Sequence, residues 1–273
     1  MHDYTGKTVF VAGGTSGINL AIAEGFAKAG ARVFVASRKD DNVRAAVEKL
    51  SAIGPEAAGA SADVRDLAAV EAAFAACVEK FGAIDVLISG AAGNFPVYAN
   101  ALSSNGFKAV IDIDLLGTFH VMRAAFPHLT KPGAVAISIS APQAVLAMEA
   151  QIHVCAAKAG VDMVTRVLAM EWGEHGVRVI SVIPGPIECT EGMKRLAPTP
   201  QMQEMAAATV PLKRMGTGAD MADACLALAS DYCRYISGAV IPVDGGWHLG
   251  GASQAMAHAM GEARKLGLVK TGD

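Results

Sequence analysis

The sequence is short of the features that mark membrane, metal and disulfide proteins. No apolar run approaches the roughly 20 residues that a spanning helix needs, and residues 1–7 carry no apolar leader stretch. The expectation is a cytoplasmic chain with no membrane partner. Cysteine is scarce: the chain has five, none in a Cys-x-x-Cys pair and none with His-rich partner spacing, so neither a zinc site nor a disulfide framework is indicated and no metal is expected. Cys77, Cys155, Cys189, Cys225 and Cys233 read instead as buried thiols in a reducing compartment. Charge is sparse as well, at 18% of residues with a net charge of -3, so the chain has no basic footprint for nucleic acid or an acidic membrane surface. Any anion must be held by local groups. What is plentiful is apolar surface: 52% of 273 residues are hydrophobic, enough for one large core and too little chain for two α/β domains.

Short apolar runs alternate with longer helical patterns. Val9 to Ala12 reads as a strand that breaks at Gly13 and Gly14, after which Leu20, Ala23, Phe26 and Ala27 recur at helical spacing until Gly30 closes the helix. Further strands are expected at about Arg32 to Ala36, Ile84 to Ser89, Ala134 to Ile139, Val177 to Ile183 and Ala239 to Val243. Strands this apolar are covered on both faces, and alternating βα units with such strands predict a parallel, doubly wound sheet with right-handed crossovers, a three-layer αβα domain over residues 1–250. Two stretches depart from the rhythm. The connection over 188–211, with Pro198, Pro200 and several methionines, is long for its place, as lids over sites often are. The tail, 251–273, carries Met256, Met260, Ala263 and Leu266 on one helical face. That stripe predicts a helix packed on its own domain or a neighbouring subunit, with a substrate cover as the alternative.

The first glycine turn carries chemistry. Gly13, Gly14, Thr15, Ser16, Gly17 and Ile18 lie between the first strand and its helix, where bare backbone can approach a pyrophosphate at the positive helix N-terminus. Asn19 occupies the third glycine position. About twenty residues on, where an NAD enzyme places an acid against the ribose hydroxyls, the chain has Ser37, Arg38 and Lys39. A guanidinium there favours a 2′-phosphate, hence NADPH over NADH. Asp63 and Val64 are placed to meet the adenine, although a lone Asp is commonly a turn former.

These pieces resemble the short-chain dehydrogenase/reductases over nearly the whole length: Gly13 to Asn19, Asp63-Val64, Ala91-Ala92-Gly93, Lys158, Pro184-Gly185 and Asp244-Gly245-Gly246. The resemblance implies a single-domain Rossmann-type fold whose cofactor cleft is lined by the turns at Ala91, Ala92 and Gly93 and at Pro184, Gly185, Ile187 and Thr190. It makes Lys158 the anchor of the nicotinamide ribose, and relatives of this kind are commonly homotetramers.

The departures from the family pattern form a signature of their own. The family's tyrosine, one helical turn before the lysine, is Val154 here, its partner serine is Ala141, and the usual asparagine is Asp114. With Ala91 to Phe95, Gly117-Thr118-Phe119, Pro184 to Ile187 and Thr190-Glu191-Gly192, these positions look like the 2,4-dienoyl-CoA reductases, closest to the peroxisomal type. That likeness implies Asp114 and Asp244 as site carboxylates, and Arg38, Arg65, Phe95, Ser103, Ser104, Asn105 and Arg195 as contacts to an acyl-CoA partner. Mitochondrial relatives carry a differently placed tyrosine, and Gln143 stands at that position here.

The chemistry tolerates the missing tyrosine. Hydride addition to a ketone leaves an alkoxide that needs an acid within reach, whereas addition to a conjugated dienoyl thioester spreads charge into a dienolate that needs only stabilising dipoles while carbon takes the proton. The expected roles are Lys158 on the nicotinamide, Asn94 or a nearby backbone donor on the thioester oxygen, and Asp114 or Asp244 on the protonating water. Each carboxylate also has a structural reading, Asp114 in an ion pair and Asp244 in an Asp-Gly-Gly turn. His120 and His153 read as structural groups, residue 153 lying off the face of Lys158. Two other functions fit the same motifs: an NADPH-dependent reductase of enones, imines or ketones without CoA, and an inactive NADPH-binding protein.

Overall fold

A computed structural model describes residues 2–269; within them, the side chains at 191, 195 and 196 lie outside the description. The strands are β1 (Thr8–Ala12), β2 (Arg32–Ser37), β3 (Ala57–Ser61), β4 (Val86–Ser89), β5 (Val135–Ile139), β6 (Arg178–Pro184) and β7 (Val240–Val243). They pair in the order β3-β2-β1-β4-β5-β6-β7, every pair parallel. Chain order reverses between β1 and β4, which leaves a crevice at their carboxyl ends, the place where doubly wound sheets bind ligands.

The alternation of side chains along each strand divides the core. Val9, Val11, Val33, Val35, Ile88 and Ile137 face one layer, where Ile22 and Phe26 of α1 (Gly17–Lys28) meet Met221 and Cys225 of α9 (Gly218–Ala229). Phe10, Phe34, Leu87 and Ala136 face the other, against Phe74 and Cys77 of α3 (Leu67–Phe81), Met122 of α5 (Gly117–Ala125) and Trp172 of α6 (Ile152–Gly173). Both faces are dry, as the near-continuous apolar strands require. α2 (Asp40–Ser51) completes the first layer with Val43, Ala46 and Leu50.

The expected strand positions agree with the structure to within a residue or two, with Ile84 and Ala239 lying just outside β4 and β7. Other details differ from the sequence reading. The fourth helix is not one piece: α4 (Ser104–Val110) passes through a π-helical turn, Ile111–Leu116, into α5. The wider turn carries Asp114 inward to 1% exposure, a local irregularity of the sort found at functional sites. Of the thiols, Cys77 and Cys225 are buried and pushed up to about 12 by desolvation. Cys155 and Cys233 are half-buried, and Cys189, at φ +59° in the turn leaving β6, is exposed.

The 188–211 connection contains two helices, α7 (Glu191–Leu196) and α8 (Pro200–Thr209). Its base is clasped by a parallel bridge between Ile187 and Gly216, with Glu188 N donating to Gly216 O at 2.9 Å and Gly216 N to Pro186 O at 2.9 Å. The tail forms α10 (Gly251–Lys265). Met256 and Met260 bury against Met148, Val210 and Trp247, whereas Leu266 is 66% exposed, since the helix ends there. Among the described residues no helix is long and apolar enough to cross a membrane.

Candidate active site

The turn after β1 is shaped for close approach. Gly13 sits at φ +79°, and a Cβ there would lie 2.9 Å from the Ala91 backbone, so only glycine fits between the two turns. Gly14 faces inward, where a Cβ would strike Val11 and Val35. Asn19 takes up the space a third glycine would leave open: its Nδ2 donates to Gly90 O at 2.7 Å and to Gly13 O at 3.4 Å, tying the β1 and β4 turns together. At the head of α1, Ser16 is the N-cap but its hydroxyl caps no backbone amide, and no acid stands in the first turn. The positive helix end is therefore left for an external anion.

Beside this turn opens a hollow of about 330 Å³ lined by Gly13, Thr15, Ser16, Ser37, Arg38 and Asp63, together with Val64, Ala91 and Ala92. It thus gathers half of the residues that the sequence assigns to the cofactor. Gly17, Ile18, Ile187 and Thr190 line another hollow of about 260 Å³. Arg38 is exposed at the rim, and its carbonyl accepts from Ser61 Oγ at 3.0 Å. Arg65 already has a partner in this structure. Its Nε and Nη2 grip the Asp63 carboxylate at 3.0 and 2.5 Å, which holds that carboxyl below its ordinary range. Thr190 uses its hydroxyl to cap α7, accepting from Met193 N at 3.2 Å and donating to Ile187 O at 2.8 Å.

Against the turn after β4 lies a buried ion pair. Lys158, 5% exposed, donates from Nζ to Ile139 O at 3.0 Å and lies 3.5 Å from Asp114 Oδ2. Asp114 Oδ1 accepts from Gly93 N at 2.7 Å, and Thr118 Oγ1 returns to the Asp114 carbonyl at 2.7 Å. One carboxylate therefore restrains the turn after β4 and partners the lysine. Where the family places its phenol, Val154 is buried among Val110 and Ala157, and the donor serine's position is Ala141, with the neighbouring Ser140 Oγ buried and without a hydrogen-bond partner.

A second polar group centres on Gln151, fully buried just before α6. Its Oε1 accepts from Gln143 Nε2 at 2.7 Å and Asn94 Nδ2 at 3.3 Å, and its Nε2 reaches Met256 Sδ at 3.6 Å. Nothing in the sequence pattern singled out Gln151, since a lone glutamine ahead of a helix has no signature. His153 is also fully buried. Its ring lies edge-on to Phe95 at 4.7 Å, neither nitrogen has a hydrogen-bond partner, and burial lowers its pKa against the opposing pull of the Phe95 and Gln151 backbone and the Asp114 charge. His120, by contrast, is satisfied by Val64 O at 2.8 Å.

Phe95 and Ser103 share a hollow of about 350 Å³ with Leu268 of the tail. Ser103 caps α4 through Gly106 N at 3.1 Å, and Ser104 and Asn105 are exposed beside it. Arg195 lies on α7, with its side chain outside the described residues. Asp244 is committed to its own turn: Oδ1 accepts from Gly246 N at 2.9 Å, and Oδ2 accepts from His248 N at 2.8 Å and lies 2.7 Å from His248 Nδ1. A Cβ on Gly185 would come within 2.7 Å of Asp244 Cα, so the turns after β6 and β7 pack backbone to backbone. The residues present fit a dinucleotide: a glycine cradle that a Cβ would fill, an uncapped helix end and a buried lysine beside the β4 turn.

Comparison with known proteins bears on the same residues. A family model described as enoyl-(acyl carrier protein) reductase matches residues 12–248. The peroxisomal 2,4-dienoyl-CoA reductase [(3E)-enoyl-CoA-producing] of Rattus norvegicus is 43% identical over 242 residues, covering 88% of this chain and 83% of that protein. Among solved structures, a short chain dehydrogenase from Bacillus anthracis superposes with a TM-score of 0.79 at 36% identity, covering 89% of this chain and 97% of that one. The Pseudomonas aeruginosa RhlG/NADP active-site complex superposes with a TM-score of 0.84 at 28% identity, covering 91% and 100%.

Proposed function

The chain belongs to the short-chain dehydrogenase/reductase family, and on that premise we propose that it uses NADPH to reduce a 2,4-dienoyl-CoA to an enoyl-CoA, a step in the oxidation of unsaturated fatty acids. The observation that carries this reading lies in one wall of the cleft. The lysine is retained and paired with Asp114 at 3.5 Å, while Val154 and Ala141 stand where proton donors to a carbonyl would be. A site that keeps its cofactor anchor and dispenses with its phenol suits a substrate whose developing charge is delocalised. The identity to a reductase named for that substrate points the same way.

A nicotinamide held here would supply a hydride to the electron-poor end of the diene. Lys158, fixed between Ile139 O and Asp114, would orient the nicotinamide ribose. The rim guanidinium of Arg38 would pair with the 2′-phosphate, the preference for NADPH resting on that charge and agreeing with the NADP named for the RhlG complex. Asn94 Nδ2, whose bond to Gln151 is a long 3.3 Å, can turn from it toward the thioester oxygen, a contact of the kind that contributes roughly 3 to 4 kcal/mol to an oxyanion transition state. Asp114 keeps lone pairs beyond those taken by Gly93 and Lys158 and holds the water that protonates carbon. Asp244 shapes the turn beside Gly185 and acts on the reaction through that backbone. Phe95, Ser103, Ser104 and Asn105 receive the thioester arm at the mouth, with Gln143 held behind them by Gln151, and Arg65 and Arg195 are assigned to the CoA phosphates.

We expect the working assembly to be a homotetramer, as in relatives of this kind. The cytoplasmic reading of the sequence stands beside a relative named for the peroxisome, and the chemistry is the same in either compartment. The test is direct: purified protein mixed with NADPH and 2,4-hexadienoyl-CoA should bleach the nicotinamide absorbance, with NADH much slower. Brisk turnover of an isolated ketone with no turnover of dienoyl thioesters would overturn the reading.

A further inference from the structure

Saturating a conjugated double bond with a hydride consumes one solvent proton in every turnover, yet the groups around the ion pair are dry. Asp114 is 1% exposed, Lys158 is 5% exposed and Gln151 is fully buried. The seam between α6 and the stretch running from α4 into the π-helical turn is filled by Val110, Val154 and Ala157, side chains that carry no proton. His153 precedes Val154 and Ala157 on the first turn of α6 and is itself fully buried.

The sequence reads His153 as a structural group, and its surroundings speak against that. A structural histidine engages its ring nitrogens, as His120 does with Val64 O at 2.8 Å. Both nitrogens of His153 are buried without a hydrogen-bond partner, an arrangement native interiors avoid unless a water, a ligand or a proton uses it. Two neighbours mark a path through the ring. Phe95, whose ring centroid is 4.7 Å away, is 39% exposed and lines the hollow shared with Ser103 and Leu268. From within, the charge of Asp114 acts on the imidazole. Of the other charges nearby, Lys158 on the same helix is held by Asp114 and Ile139 O, and Lys108 and Asp112 pair with each other. Burial lowers the proton affinity of the ring, so a proton that reaches it is readily passed on.

We propose that His153 relays protons from the hollow at Phe95 to the water held by Asp114, replacing the one that each turnover spends. The inference rests on the dienoyl-CoA reading and adds to it the route of the proton. Hydride addition at Cδ of the ester leaves a dienolate, and an O–H bond of that water breaks as the new C–H bond forms. The hydroxide left behind takes the proton of the His153 imidazolium, and the neutral ring takes another from solvent in the hollow. The sum is one hydride and one solvent proton per ester, with no further reactant.

The experiment compares the full-length protein with His153→Phe, which keeps a ring against Phe95, and His153→Ala, which leaves room for a small base. With NADPH and hexadienoyl-CoA, kcat of His153→Phe should fall by at least about tenfold. Its solvent isotope effect should rise and the isotope effect from deuterated NADPH should shrink, because proton delivery has become the slow step. Imidazole added to His153→Ala should restore turnover severalfold, whereas pyrazole, of the same shape but a far weaker base, should not. Equal rescue by both, or a fall in kcat with both isotope effects unchanged, overturns the proposal. A second measurement needs no substrate. The imidazole signals of His153 in nitrogen NMR spectra, assigned by their loss in His153→Gln, should titrate above about pH 5, with a lower midpoint in Asp114→Asn. A ring that stays neutral down to that pH, or a midpoint the variant leaves unmoved, rules the relay out. Protein that titrates as expected yet is inert toward hexadienoyl-CoA refutes the reductase reading and leaves His153 as the proton route for another reduction at this cleft.

Discussion

Asp114 Oδ2 and Lys158 Nζ face each other at 3.5 Å with side-chain exposures of 1% and 6%. Neither charge has water to fall back on, so each depends on the other and on the backbone groups at Gly93 N and Ile139 O. The carboxylate therefore holds two things at once: the β4 turn through Gly93 N and the Lys158 ammonium opposite it.

Asp114→Asn retains an oxygen for Gly93 N but removes the charge opposite Lys158. Breaking one partner of a buried pair typically costs about 3 to 5 kcal/mol, so we expect a clear fall in melting temperature with folding retained. Turnover of hexadienoyl-CoA should fall more than tenfold. Turnover within threefold of the parent for Asp114→Ala would remove Asp114 from the reaction.

Arg38→Ala should raise the KM for NADPH by about ten- to a hundredfold, the range spanned by losing a charge-assisted contact of roughly 1.5 to 3 kcal/mol. The KM for NADH should barely move. Steady-state kinetics with each cofactor checks this, and an equal loss for both would place the 2′-phosphate elsewhere.

His153 gives a pH dependence with a defined sign. Burial lowers its folded pKa below the ordinary 6.5, so the unfolded chain binds the proton more readily. Stability is intact above about 6.5 and is lost as pH falls from there toward the depressed folded value. Denaturant unfolding at pH 7.5 and pH 5.5 should show the loss, and His153→Gln should flatten it. An equally steep decline in that variant would assign the effect to other groups.

Asn19→Ala removes the donor to Gly90 O, leaving a carbonyl short of its partner at a cost of about 1 to 3 kcal/mol. Because that bond ties the two cofactor turns, NADPH affinity measured by fluorescence titration should weaken together with thermal stability. Stability lost with affinity unchanged would confine Asn19 to the fold.

The sheet was legible because its strands announce themselves. Val9 to Ala12 and Val177 to Ile183 are apolar throughout, apart from Arg178 and Ser181, and the glycines after Ala12 mark a tight turn from strand into helix. Lys158 stood out for a related reason: a charge within an apolar, alanine-rich helix demands a partner, and it has one in Asp114. Gln151 and the roles of Asn19 and Asp244 were not legible. A glutamine or asparagine has no periodic signature, and its value depends on which backbone groups arrive beside it. Asp244 carries a turn motif that fits a site or a cap equally well, and only the approach of Gly246 N and His248 showed where its oxygens are spent.

By itself, then, the sequence determined the layered fold, the glycine turn and the absence of a phenol from α6, since those follow from local residue types and their periods. Tertiary structure alone decided that Asp114 turns inward on a π-helical turn, that Arg65 is tied to Asp63, and that Met256 of the distant tail meets Gln151 across the cleft. Those are contacts set by how the chain packs, and no local pattern encodes a distance that only the packed core sets.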